Sequence, residues 1–357
     1  MDCQLNGACT DGLCVCDKGW TNATCGGLDI VPAAVAYGYD NPLEPGMSCW
    51  GGGPPTFDAA SGKYHMFLTE IAAHCGMSTW GRMSQATHVV SDNEAGPYSR
   101  VAMAVPSFTH NVYYAYSPTD KMHLIYSIGE GTAPESCNPY LNCTAGFTPG
   151  GHGIHPPPGP WPPSTCPGGT SFTTTIHYSA SLDGPWESHI LRAGPMPAGL
   201  GGLSNPAPYI FPNGTVIMMA RGHPPQGEHY NIWLYRADHW NATYNWVKSD
   251  GVNGTANINQ PPSKDVTEDP TIWKGRRGFH ALFHSHPKLT HGWSQDGLSW
   301  QWSPTKIGPA LPPKAGDTQR PRVTVDSNGD LQTLFVASIP GINGSDASHL
   351  MAYAPRT

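Results

Sequence analysis

Five times along the chain an apolar run, a tight polar turn and a second apolar run follow one another, at 56–67, 116–126, 210–218, 272–282 and 323–334. A hairpin that returns at intervals of tens of residues is the mark of radial repetition, each copy forming the inner part of one blade. The pattern predicts an all-β, five-bladed β-propeller with blades near 47–102, 103–192, 200–248, 264–304 and 317–357. Outer hairpins repeat as well: Ser181-Leu182-Asp183-Gly184-Pro185-Trp186 in blade two is echoed by Ser294-Gln295-Asp296-Gly297-Leu298-Ser299-Trp300 in blade four. The apolar stretch 28–37 lies outside the five copies and is expected to complete the last blade, removing an open sheet edge. No long helical period of apolar residues occurs, so helix should be scarce.

Blade two carries an inserted Pro/Gly/Cys-rich loop at about 129–170. It includes Cys137, Cys143, Cys166 and the run His155-Pro156-Pro157-Pro158-Gly159-Pro160-Trp161-Pro162-Pro163. Such a run favours extended polyproline II with no core of its own. A disulfide-pinned surface loop and an arm for a partner are the two roles it suggests.

Composition fits this frame. Among 357 residues only 13% are charged, while Gly numbers 42 and Pro 37, a mixture suited to turns and short strands. A formal charge of −7 and the absence of a basic run exclude a nucleic-acid partner. No stretch reaches the ~18–20 apolar residues of a membrane span, so membrane insertion is not expected. Asn22, Asn142, Asn213, Asn241, Asn253 and Asn343 each begin an Asn-x-Ser/Thr acceptor without an intervening Pro, most of them at predicted turns. With ten cysteines, this indicates a secreted, N-glycosylated protein in an oxidising compartment, at a cell surface or in a matrix.

At the amino terminus the spacing Cys3-x5-Cys9-x4-Cys14-x-Cys16-x8-Cys25, with Gly7, Gly12, Gly19 and Trp20 between, resembles an EGF-like domain. The expected division is therefore an EGF-like module at 1–27 and the propeller at 28–357. The resemblance implies Cys3–Cys14 and Cys16–Cys25 disulfides and leaves Cys9 without its family partner, because the first cysteine of the pattern is missing. Either Cys9 bonds one of Cys137, Cys143 or Cys166, or the chain is the carboxy-terminal portion of something longer.

Three inner strands open on Ser204-Asn205-Pro206-Ala207-Pro208, Thr267-Glu268-Asp269-Pro270-Thr271 and Gln319-Arg320-Pro321-Arg322. Together with the Ser-x-Asp-Gly-x-x-Trp turns, these resemble the five-bladed glycosidase superfamily of arabinanases, β-xylosidases and invertases. The resemblance implies carboxylates at the inner ends of separate blades, acting as acid and as base or nucleophile. Glycoside hydrolysis needs two carboxyl groups facing each other across the sugar, ~5 Å apart for retention and ~6.5–9.5 Å for inversion. Blade one instead offers Trp50, blade two His110 and Asn111, blade three Asn205 and blade five Arg320. Only blade four supplies acids, Glu268 and Asp269. Strict alternation would turn those two to opposite faces, so a second carboxylate would have to arrive from a loop, with Asp40 and Glu44 first and Asp317 next. Asp58, Asp120 and Asp326 belong to the hairpin turns at the far end.

Trp50 is the expected stacking surface for a sugar ring. His110, Asn111 and Asn205 are further candidates for carbohydrate contact. Arg320 and Arg322 should share a face, either forking onto a carboxylated or sulfated sugar or pairing with Glu268 or Asp269. His280, His284 and His286 share one parity and could hold zinc, but strand side chains of that kind are usually sandwiched between blades, so no metal and no cofactor are assigned. The sequence thus points to a glycosidase-like propeller that binds carbohydrate or builds an assembly, with copies of itself or other extracellular proteins, without full catalytic machinery. The alternative is an active glycoside hydrolase using Glu268 or Asp269 with a loop carboxylate such as Asp40.

Overall fold

The structure is a computed structural model that describes residues 2–39, 47–72, 75–131, 173–195, 202–222, 231–247, 267–285, 288–308, 318–338 and 348–356. Five antiparallel sheets stand around an axis as a five-bladed propeller. Their innermost strands are Cys49–Gly52, His110–Ser117, Leu203–Ile210, Thr267–Lys274 and Thr318–Val325. Blades two, three and four each run outward through four consecutive strands. Blade one adds Thr56–Asp58, paired to its second strand, and ends on Ser99–Val105, a little beyond the boundary expected from the sequence.

The last blade is closed by the start of the chain. Ile30–Tyr37 pairs antiparallel with the final strand His349–Pro355, so the stretch left over from the five copies supplies the outer strand that blade five lacks. Blade faces bury apolar rows against each other: Phe67, Val112 and Ile125 join blades one and two, while Tyr126, Met218 and Phe283 belong to the core shared by blades two to four. Among the described residues, helix is confined to short turns, the longest being Trp80–Met83.

A small disulfide-rich module precedes the propeller. Cys3 bonds Cys14 and Cys16 bonds Cys25, while Cys9 is free and exposed. The module packs on blades four and five: Asp17 accepts two hydrogen bonds from Arg277 at 2.9 and 3.0 Å, Trp293 Nε1 donates to Asp2 at 3.0 Å, and Trp20 lies 4.7 Å from the His291 ring. His280 and His291 are buried in this contact, 3.2 Å apart. They serve the seam there, whereas His284 lies beside Glu268, so the three-histidine face drawn from parity is divided. His286 and all but the first residues of the blade-two insertion lie outside the described residues, as do Asn142, Asn253 and Asn343.

Candidate functional site

Every inner strand carries the same defect at the same place. In each, two residues oppose one on the neighbouring strand, between Cys49 and Gly52, His110 and Tyr113, Ser204 and Ala207, Glu268 and Thr271, and Gln319 and Arg322. The extra residue is in the left-handed region each time, at Gly51 (φ 71°), Asn111 (59°), Asn205 (52°), Asp269 (53°) and Arg320 (53°). Gly, Asn and Asp adopt that conformation at least cost. In blades three to five the next residue is Pro206, Pro270 or Pro321, which has no amide to offer a ladder that is interrupted there.

This fivefold bulge builds the site. It abolishes alternation locally, so two consecutive residues can face the axis. His110 with Asn111, Ser204 with Asn205, Glu268 with Asp269, and Gln319 with Arg320 all line one central cavity of about 240 Å³, with Trp50 from blade one. Glu268 and Asp269 therefore stand side by side, and not on opposite faces as strict alternation predicts; with His284 they present oxygen and nitrogen atoms within 4.8 Å of one another. Arg322, two residues beyond the bulge, does not share the cavity with Arg320. Its guanidinium lies 4.4 Å from the Tyr113 ring and donates to the carbonyls of Pro270 and Pro321.

Both carboxylates are held. Asp269, 2% exposed, accepts at Oδ1 from Asn205 Nδ2 at 2.5 Å and Asn111 Nδ2 at 3.3 Å, with Arg320 Nε at 3.5 Å. Burial raises its pKa, with the adjacent Glu268 charge adding and Arg320 opposing. Glu268 is more open and meets Arg221 Nη1 at 2.5 Å and His284 Nδ1 at 3.5 Å. Burial works against its charge, but His284 and the Arg221 and Arg320 charges outweigh it and hold the carboxyl below its usual range. Two neighbouring acids are thus pushed apart in pKa.

Arg320 is fully buried, and loss of solvation pulls its guanidinium down to about 9, so it remains charged near neutrality. Its Nη2 lies 3.0 Å from His110 Nε2, and its guanidinium carbon lies 5.4 Å from the Trp50 ring centre. Trp50, the expected stacking surface, is only 7% exposed and already carries Arg320.

A second ring was not foreseen. The segment between the second and third strands of blade one brings Met77 and Trp80 to the cavity wall. Trp80 packs on His110 with ring centres 4.6 Å apart, and buried, disulfide-bonded Cys75 belongs to the same cluster. Arg221 was missed as well; its signal lay in register, because it pairs directly opposite Ser204 at the mouth of blade three. Asp40, Glu44 and Asp317 lie outside the described residues. Asp58 and Asp326 cap their turns through backbone amides, and Asp120 holds Trp240 Nε1 at 2.7 Å, all three in the hairpin turns.

No protein-family model matches the chain, and no curated protein matches it. Solved structures do. A family 117 glycoside hydrolase from the marine bacterium Zobellia galactanivorans superposes with a TM-score of 0.57 at 13% identity, over 91% of this chain and 89% of that one. An α-L-arabinofuranosidase from Lactobacillus brevis gives 0.53 at 13% identity, over 89% and 93%. A family 43 β-1,3-galactosidase gives 0.54 at 12% identity, over 90% of this chain and 60% of that one. The chain has a glycosidase-like fold, and the likeness at these identities is one of fold.

Proposed function

We propose that the propeller binds a single carbohydrate unit in its central cavity and holds it without cutting it. One observation carries this: among the described residues, the carboxylates that line the cavity are neighbours on one blade, and each is paired with an arginine. Hydrolysis requires carboxyl groups on either side of the glycosidic bond, whereas Glu268 and Asp269 share one wall. Blades one, two, three and five present Trp50, His110 with Asn111, Ser204 with Asn205, and Gln319 with Arg320 at the ring. The cavity is smaller than the ~300–1,000 Å³ of a drug-sized ligand site, which suits one sugar ring.

A second function has one specific support. The opposed pKa shifts of Asp269 and Glu268 are the kind of separation that distinguishes acid from base in hydrolases, and the structural neighbours are glycoside hydrolases. In that case Glu268 or Asp269 would act with a loop carboxylate such as Asp40. Screening furanosides and pyranosides for turnover, with Glu268→Gln as control, separates the two. Saturable binding without release of sugar supports a binding module; release that disappears in Glu268→Gln supports the hydrolase.

The setting we propose is extracellular. Disulfides persist in oxidising compartments, and the module at 1–27 keeps the two bridges expected of an EGF-like unit. Asn22, Asn213 and Asn241 are exposed, as glycan acceptors must be. Such a module serves as a spacer, presenting the propeller to copies of itself or to other extracellular proteins. A mass shift on enzymatic deglycosylation of the secreted protein checks the glycans.

A further inference from the structure

The disulfide-rich module is sealed to the propeller over a pair of stacked histidines. His280 and His291 stand on neighbouring strands of blade four, their rings 14° from parallel and His280 Nδ1 3.2 Å from His291 Nε2. Trp20 of the module covers both, with ring centres 4.7 Å from His291 and 6.1 Å from His280. Trp273 backs His280 at 5.4 Å, and both imidazoles are buried.

A line of hydrogen bonds runs from the module into this pair, and it has one direction. Thr24 Oγ1 donates to Asn22 Oδ1 at 3.2 Å, so it accepts from Gln4 Nε2 at 3.2 Å and leaves Gln4 Oε1 toward the propeller. An amide oxygen only accepts. His291 therefore carries its proton on Nδ1, 3.3 Å from Gln4 Oε1, and accepts at Nε2 from His280 Nδ1. Both rings are neutral in this arrangement. A second proton on His291 would set two donors against each other where the rings meet.

Among the described residues, the charged groups around this seam are already matched. Asp17 of the module is held by Arg277, Asp330 by Arg276, and Asp2 by Trp293 Nε1. Asp29 pairs with Arg356 at 3.0 Å, and Lys18 acts on Asp326. Burial lowers His280 to about 3 against the pull of Asp17. It holds His291 well below the ordinary value, with neighbouring His280 adding to the effect.

We propose that the module is a pH-operated latch, in which acid protonates His280 and His291 and swings the module off blades four and five while the propeller stays folded. The strand Ile30–Tyr37, paired into blade five, keeps it tethered. Two disulfides and two strand pairs lie within residues 3–28, so release breaks only the seam. Docked, the pair resists protons; released, it takes them up near pH 6.5. Docking is therefore strongest above that pH and weakens about tenfold per pH unit below it for each histidine.

Hydroxyl-radical footprinting of the full chain, read residue by residue by mass spectrometry, tests this. Trp20 and Trp293 are buried in the seam, while Met218 and Tyr235 lie in the core of blade three. Trp20 and Trp293 labelling should rise between about pH 7.5 and about pH 5, where one histidine alone shifts the equilibrium about 30-fold. Met218 and Tyr235 should stay protected, and the labelling should fall again at neutrality. In the double variant His280→Asn, His291→Gln, Trp20 labelling should no longer differ between the two pH values. Trp20 that stays protected in acid, or that becomes labelled only together with Met218 and Tyr235, overturns the latch. A rise that persists in the double variant also overturns it, and places the trigger at carboxylates such as Asp17.

Discussion

Arg320 Nη2 donates to His110 Nε2 across 3.0 Å, joining blade five to blade two over the centre of the ring. A guanidinium can only donate, so the imidazole accepts at Nε2 and carries its proton on Nδ1. That proton is directed at Ser84 Oγ, 2.7 Å away, and the serine hydroxyl in turn donates to the Trp80 carbonyl at 2.7 Å. The chain fixes tautomer, guanidinium and cavity wall together. Replacing His110 with Ala leaves a further Arg320 nitrogen buried without an acceptor and should cost about 2–3 kcal/mol. Denaturant unfolding of the variant measures this, and an unchanged midpoint would show that Arg320 does not depend on His110.

Acid should destabilise the fold through its buried imidazoles. Burial lowers His88 and His177 to about 4 and His280 to about 3, and holds His110 and His291 well below the ordinary value. An unfolded chain takes up these protons near pH 6.5, whereas the folded chain resists them. Unfolding is therefore favoured as pH falls below about 6.5, by about 1.4 kcal/mol per pH unit for each such histidine until its folded pKa is reached. Urea midpoints should be flat above that pH and decline steeply beneath it. A midpoint independent of pH between neutrality and the folded pKa values would contradict the buried neutral state.

Removing the charge of Asp269 should hurt more than removing that of Glu268. Asp269→Asn leaves Arg320 buried without a counter-ion and sets a third amide against Asn111 and Asn205, a loss of about 3–5 kcal/mol. Glu268 and Arg221 are partly open to solvent, so water takes over more of the lost pairing in Glu268→Gln, which should cost about 1–2 kcal/mol. Equal losses would show that the two pairs are equally desolvated.

The frame was legible where physics is local. Polar turns between apolar runs named the five inner hairpins, and the unused stretch at 28–37 matched the strand missing from blade five. The cavity was legible only in part. Placing ring residues by strict alternation put Glu268 and Asp269 on opposite faces and Arg320 with Arg322 on one. The bulge reverses both placements. Its trace was present, since Gly51, Asn111, Asn205 and Asp269 are residues that tolerate positive φ, but Arg320 at the fifth position has no such preference. Met77 and Trp80 reach the cavity from a connection inside blade one, which no repeat marks.

That connection should govern affinity. Cys75 is buried and disulfide-bonded within the cluster that holds Met77, Met83 and Trp50. Cys75→Ser should free the wall bearing Trp80 and weaken sugar binding by about tenfold, through loss of preorganisation. Titration of the variant, with circular dichroism to verify its sheets, checks this. Undiminished binding would mean that the wall is held by packing alone.

The fate of a bound sugar tests most directly whether this ring holds without cutting. A neutral disaccharide glycoside that binds saturably is incubated with the full chain for many hours, then displaced and weighed by mass spectrometry. The arrangement of Glu268 and Asp269 on one wall, each paired with an arginine, predicts that it is recovered whole, as it is from Glu268→Gln. Recovery of its two halves from the native chain, but not from Glu268→Gln, would contradict it.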